Sequence, residues 1–227
     1  MSALTLKHSI FQEVLFPPKK MQPEESRGFF LNKVISFHAA AHRLWQDFPI
    51  VVFDLETTGL DFRNHEIIEI GAQKLIAGQV VDEFSTLVRF DRPLPEEIIK
   101  ITGITDEMLL GQPALSDVIE QFLNFIKSSL LVAHNAAFDS AFIKQACLNL
   151  GIEWTWPCYC TLKLARELLP DLERKNLDTL AKHYQLSFEA RHRSIGDVKV
   201  TAEVLKQMMA NEGEHLLSLA DLEPYRV

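Results

Sequence analysis

The chain is short of cysteine, of basic residues and of long apolar runs. Cys147, Cys158 and Cys160 are its only cysteines in 227 residues. So sparse and odd a set makes no disulfide framework and suits a reducing compartment. Cys158-Tyr-Cys160 has no second ligand pair at zinc spacing, which argues against a structural zinc site. No segment reaches the roughly 18 consecutive apolar residues needed to cross a bilayer. Residues 1–20 lack the continuous apolar stretch of a secretory signal. The expectation is a soluble, cytoplasmic protein. Internal repeats and low-complexity tracts are absent. Lys and Arg number 23 against 31 Asp and Glu, a net charge of −8. That argues against a broad basic surface wrapping long duplex DNA. It leaves room for a narrow cleft where metal ions and a few basic residues meet a phosphate.

What is present is a chain with 47% hydrophobic residues, enough for one substantial core. Three stretches are expected: an extension over 1–49, a main domain over 50–211 and a tail over 212–227. The extension carries six basic and four acidic residues, and Pro17, Pro18 and Pro23 mark turns or linkers. Residues 24–45 read as a helix, with Phe30, Val34, Phe37, Ala41 and Leu44 or Trp45 at three-to-four spacing. That helix either packs on its own domain or docks a polymerase, another protein partner or a second copy of the chain.

The main domain opens on a β-branched run, Ile50 to Phe53, without polar alternation. Such a run is a strand buried on both faces. Strands are also expected over 67–76 and 80–88, turned at Ala77-Gly78-Gln79, and over 130–133. Helices are expected over 95–100, 116–127 (with Ser116 as its cap), and about 136–149, 161–168, 177–184 and 195–211. An antiparallel run of strands followed by a strand returning among helices makes an α/β sandwich around a mixed sheet.

Carboxylates stand at the ends of these elements in three separate blocks. Asp54 and Glu56 close the first strand, and residues two apart on a strand face the same side. Buried like charges are costly unless a cation compensates them, which points to a hard divalent ion held by oxygen ligands. Asp139 falls in the first turn of a helix after His134 and Asn135. Asp197 opens the long last helix, with His192 five residues before it. Taken singly, Asp139 and Asp197 read as helix-dipole partners, and His192 as a solvated loop residue.

Together, Phe53-Asp54-Leu55-Glu56-Thr57-Thr58-Gly59, His134-Asn135-Ala136-Ala137-Phe138-Asp139 and His192-Arg193-Ser194-Ile195-Gly196-Asp197 resemble the three motifs of the DEDDh (DnaQ-like) 3′–5′ exonucleases. The pieces Glu66 to Ala72, Ile101 to Thr105 and Thr161 to Arg166 are similar too. The resemblance covers roughly residues 50–211 and is nearest in character to the proofreading epsilon subunits of bacterial DNA polymerase III.

The resemblance implies an RNase H-like mixed five-stranded sheet flanked by helices, here with an N-terminal helical extension. It implies that Asp54, Glu56, Asp139 and Asp197 bind two Mg²⁺ or Mn²⁺ ions, Asp54 bridging both. His192 would then be the general base, a role for which an imidazole with an ordinary pKa of about 6.5 is suited. Thr57 and Thr58 would meet the terminal nucleotide, and Leu60 and Phe138 would press against terminal bases. The loop over 185–194 is expected to order around metals and substrate. His134 and Asn135 are expected to support the site rather than react. The implied activity is removal of nucleoside 5′-monophosphates from a single-stranded or frayed 3′ end of DNA, in replication, proofreading or repair. Two alternatives stay open: an exoribonuclease trimming RNA ends, and a non-catalytic interaction protein on the same scaffold.

Overall fold

A computed structural model describes residues 48–216 and 218–227; the helix expected over 24–45 lies outside them. Five strands form one sheet in the order β3-β2-β1-β4-β5. They are β1 (Ile50–Thr57), β2 (Ile67–Ile76), β3 (Gln79–Leu87), β4 (Leu130–Ala133) and β5 (Cys158–Cys160). β1 pairs antiparallel with β2 and parallel with β4, so the sheet is mixed as expected. The β2–β3 hairpin turns on two residues, Ala77 and Gly78, both at positive φ. That twist matches the flanking strands.

Eight helices accompany the sheet among the described residues. In chain order they are α1 (Glu96–Thr102), α2 (Asp106–Leu109), α3 (Leu115–Phe125), α4 (Ala137–Asn149), α5 (Thr161–Leu168), α6 (Leu177–His183), α7 (Ser194–Asn211) and α8 (Leu219–Leu222). None is long and apolar enough to cross a membrane. The start of α3 corrects one expectation. Ala114, not Ser116, is its N-cap, and no side chain caps it. Ser116 sits already inside the first turn, where its hydroxyl turns instead to Asp117.

The alternation along β1 divides the core. Val51, Phe53 and Leu55 pack into one apolar cluster with α3 and α4, where Phe53 lies 5.6 Å from Phe122. Ile50 and Val52 face the other way, into a cluster built with Val198, Val204, Leu205 and Met208 of α7. Asp54 and Glu56 share the parity of Ile50 and Val52, so they face the side on which α7 packs. β4 accompanies β1 only from Ile50 to Val52. Beyond that point the β4-side edge of β1 has no strand beside it, which leaves a notch at the end of the sheet.

The fifth strand, Cys158–Cys160, is three residues long and wholly buried. The chain beyond α7 returns to it: Arg226 bridges Tyr159, and Val227 N donates to Cys158 O at 2.9 Å. Leu216, Leu222 and Tyr225 are buried in the α7-side cluster.

Candidate active site

The notch collects all four sequence-identified acids. Asp54 and Glu56 project from β1, half-buried, and Asp197 from the first turn of α7, buried. Oxygens of these three lie within 4.8 Å of one another. Asp139, in the first turn of α4 and only 2% exposed, is not part of that 4.8 Å trio. Its charge nonetheless acts on Asp54.

Each acid is held above its ordinary pKa. Burial raises Asp54 well up, and Asp139, Glu56 and Asp197 add repulsion. Burial pushes Glu56 up to about 8, with Asp197 and Glu69 adding to it. Asp139 rises to about 7 by burial, opposed by the backbone N–H groups of Asp139 and Leu55. Asp197 is raised by burial and held back by Arg191 and His192. Four acids that resist ionising together need positive charge. One carboxylate oxygen, Asp197 Oδ1, is buried with no hydrogen-bond partner. An orphaned carboxylate oxygen facing two others fits a hard divalent cation, which takes oxygen ligands.

Arg191 supplies part of the missing charge. Its Nη1 pairs with Asp197 Oδ2, while its Nε and Nη2 grip Asp178 of α6 at 2.8 and 3.1 Å. Its guanidinium also lies 4.9 Å over the Phe188 ring. The adjacent His192 stands at φ 58°, in the left-handed region, with Nδ1 3.4 Å from Arg191 Nη1. The loop expected to order around ligands is thus already tied to the acids through Arg191.

The remaining expected residues stand next to the acids in sequence. Thr57 Oγ1 donates to Gly59 O at 2.7 Å, and Thr58 Oγ1 accepts from Glu66 N at 3.0 Å. Both threonines are buried and their hydroxyls close the turn after β1. Leu60 is 85% exposed, an apolar side chain offered to solvent beside the acids' strand. Phe138, one residue before Asp139, is partly buried with its ring 4.9 Å from Phe142. His134 bonds Thr161 Oγ1 at 3.0 Å and is pushed down to about 4 by burial and by Arg191, so it is neutral at cellular pH and links β4 to α5.

Three charged residues of the site escape sequence reading: Arg191, Asp178 and Glu69. The signals were present. Glu69 interrupts the apolar strand Ile67-Ile68-Glu69-Ile70, and Arg191 and Arg193 flank His192 in an acidic chain.

Comparison with known proteins agrees with this geometry. A family model described as exonuclease matches residues 51–205. The chain is 47% identical over 160 residues to a DNA polymerase III PolC-type of Clostridium perfringens, covering 70% of this chain and 11% of that protein. It is 41% identical over 177 residues to the PolC-type polymerase of Bacillus subtilis, 77% of this chain and 12% of that one. The chain therefore spans about a tenth of the length of these relatives. Among solved structures, an exonuclease X in complex with 5′ overhanging duplex DNA superposes with TM-score 0.61 at 31% identity, covering 76% of this chain and 98% of that one. An E. coli exonuclease I with a dT13 oligonucleotide gives TM-score 0.65 at 14% identity over 74% and 42% of the two chains, a likeness of fold alone. The matched span takes in Asp54, Glu56, Asp139, His192 and Asp197, and by that match this chain is a member of the exonuclease family.

Proposed function

We propose that this exonuclease shortens DNA from the 3′ end, releasing nucleoside 5′-monophosphates, with two divalent cations held by Asp54, Glu56, Asp139 and Asp197. The observation that carries the reading is the convergence of Asp54, Glu56 and Asp197 within 4.8 Å, with a buried, unpartnered oxygen on Asp197. Mg²⁺ or Mn²⁺ bound there would supply Lewis acidity toward water and a counter-charge for the leaving 3′-oxygen. Asp54 would hold metal together with Asp139, Glu56 and Asp197, whose charges all act on it.

The chain's own residues do the rest. His192, on the loop beside Asp197, takes the proton of the attacking water. Thr57 and Thr58 shape the turn against which the terminal nucleotide rests. Leu60, exposed at that turn, and Phe138 press on terminal bases, a contact that tolerates any sequence. A cleft closed in this way receives a free end rather than the middle of a strand. Similarity to PolC-type polymerases supports a role in proofreading or repair beside a polymerase, and co-purification with one tests it. Three buried, free cysteines and the same relatives support the cytoplasm as its compartment.

The test is digestion of a 5′-labelled linear single strand beside a closed circle of the same sequence. A ladder of stepwise shortened products, an intact circle, and loss of activity in EDTA restored by Mn²⁺ are expected. Cutting of circles at the linear rate overturns the exonuclease direction. An RNA strand degraded faster than DNA moves the substrate class to RNA. His192→Ala should lose about 10²–10⁴ in rate while still binding metal. Asp54→Ala should lose metal affinity and activity together.

A further inference from the structure

Glu69 is the third residue of β2, 1% exposed, and pairs with Glu56 on the neighbouring strand β1. A buried carboxylate survives only if it is paired and hydrogen-bonded. Glu69 is, and its partners come from the far end of the chain. Arg193 Nε donates to both Glu69 oxygens at 3.1 and 3.2 Å, and Nη2 to Oε1 at 2.6 Å. Ser194 N, the first amide of α7, donates to Oε2 at 2.9 Å. Two residues along β2, Gly71 leaves room for this approach. A methyl group there would stand 2.6 Å from Ile195 N and Ser194 Oγ.

The clamped residues lie between His192 and Asp197. Arg193 O accepts from Asp197 N at 3.0 Å, so the first turn of α7 begins on the clamped residue. His192 immediately precedes it in the left-handed conformation, a conformation non-glycine residues hold only where the surroundings enforce it.

We propose that Glu69 and Arg193 are positioning residues: their ion pair fastens the start of α7 to β2 and thereby sets where His192 stands relative to the acids. Glu69 accepts its hydrogen bonds from Arg193 and Ser194 and reaches Glu56 only by charge repulsion, so its hold on the loop runs through the Arg193–Ser194 backbone. The inference rests on the reading of His192 as the base.

The experiment combines Glu69→Gln with His192→Ala and adds Arg193→Lys, which keeps the charge and loses the two-pronged grip. Single-turnover and steady-state rates are read on a 5′-labelled single strand. Glu69→Gln should lower kcat about 10–100-fold, the scale of a small misplacement, with KM changed less than about twofold. Arg193→Lys should do the same. In the His192→Ala background Glu69→Gln should add almost nothing, because the residue it positions is gone. Trypsin cleavage after Arg191 should accelerate in both single variants, a readout independent of nuclease activity. A wild-type kcat in folded Glu69→Gln and Arg193→Lys, or a further full loss on top of His192→Ala, overturns the proposal. Should Glu69→Gln not fold, Arg193→Lys alone decides by the same criteria. If the wild-type chain degrades no strand at all, the functional reading fails separately, and unchanged trypsin cleavage would still show that the fastening is not there.

Discussion

Arg191 is a cation lodged among ligands suited to cations. Its Nη1 is paired with Asp197 while Asp178 holds its other edge. Another cation entering the trio must share Asp197 with it. Removing the guanidinium removes that competition, so Arg191→Ala should bind Mn²⁺ more tightly, by about tenfold, or about 1.4 kcal/mol. Calorimetric titration measures this; equal or weaker affinity would show that Arg191 does not oppose the ion. The acids make a second prediction at the same scale. In the metal-free chain, Glu56 titrates at about 8 and Asp139 at about 7, against ordinary values of 4.5 and 3.8. The folded state then holds protons that the unfolded chain has released. Stability must fall as pH rises between those limits, and it levels off once the folded groups ionise. Between about pH 7 and 8 His134 is neutral in the fold and nearly so when unfolded, so it adds little to that slope. The metal-free melting temperature should drop across that interval, and Glu56→Gln should flatten the drop. A flat wild-type profile would contradict the raised values.

At the scale of elements, the site depends on how closely α7 can approach its neighbours. Gly196, in the first turn, lies against the backbone of Ala190. A methyl group there would stand 1.9 Å from Ala190 O, and a carbonyl cannot yield as a flexible side chain can. Gly196→Ala should therefore push the loop before α7 away, costing about 1–3 kcal/mol. Asp197, the next residue, moves with it. Thermal melting and metal titration should show lower stability and weaker metal binding together; an unchanged melting temperature refutes the close approach. The notch itself is also a property of elements. β4 runs beside β1 for three residue pairs only, so Asp54 and Glu56 emerge just past the end of the pairing. The helix that follows β4 then brings Asp139 to the same place.

For the molecule as a whole, the last ten residues contribute Leu222 and Tyr225 to the core. Tyr225 and Leu222 are buried against the α7-side cluster, and Arg226 extends the sheet at Tyr159. This stretch packs on α5 and β5, in the cluster that also holds Ile50 and Val52, the part of β1 that precedes Asp54. Tyr225→Ala should cost about 3 kcal/mol in denaturant unfolding while Mn²⁺ affinity stays at the wild-type value. Loss of metal binding without loss of stability would mean that the segment serves the site instead. The acidic surface, at −8 overall, contrasts with the basic residues gathered at the α7 end, Arg191 and Arg193. Both are paired with acids, so the contrast is internal to the site rather than a basic face.

The sequence by itself determined the longer elements and the acids, but not the short helices Asp106–Leu109 and Leu219–Leu222. β-branched runs, the Ala77-Gly78 turn and the periodic helices are local patterns, written within a few residues of one another. Asp54 and Glu56 were legible because they interrupt an apolar strand, and Asp139 and Asp197 because the blocks that hold them resemble a known family's motifs. The short strand Cys158–Cys160 was not, since three residues carry no period and its pairing with β4 and Arg226 is what makes it a strand. Tertiary structure alone decided that Arg191 shares Asp197 with any incoming ion, and that Ser116 caps nothing. It alone joined Glu69 to Arg193 across 124 positions of sequence. An ion pair's strength depends on distance and burial in space, and neither is encoded by neighbours along the chain. The physical reason for the division is that periodicity and capping act over one turn or one strand, whereas a buried charge finds its partner only after the sheet and helices have closed around it.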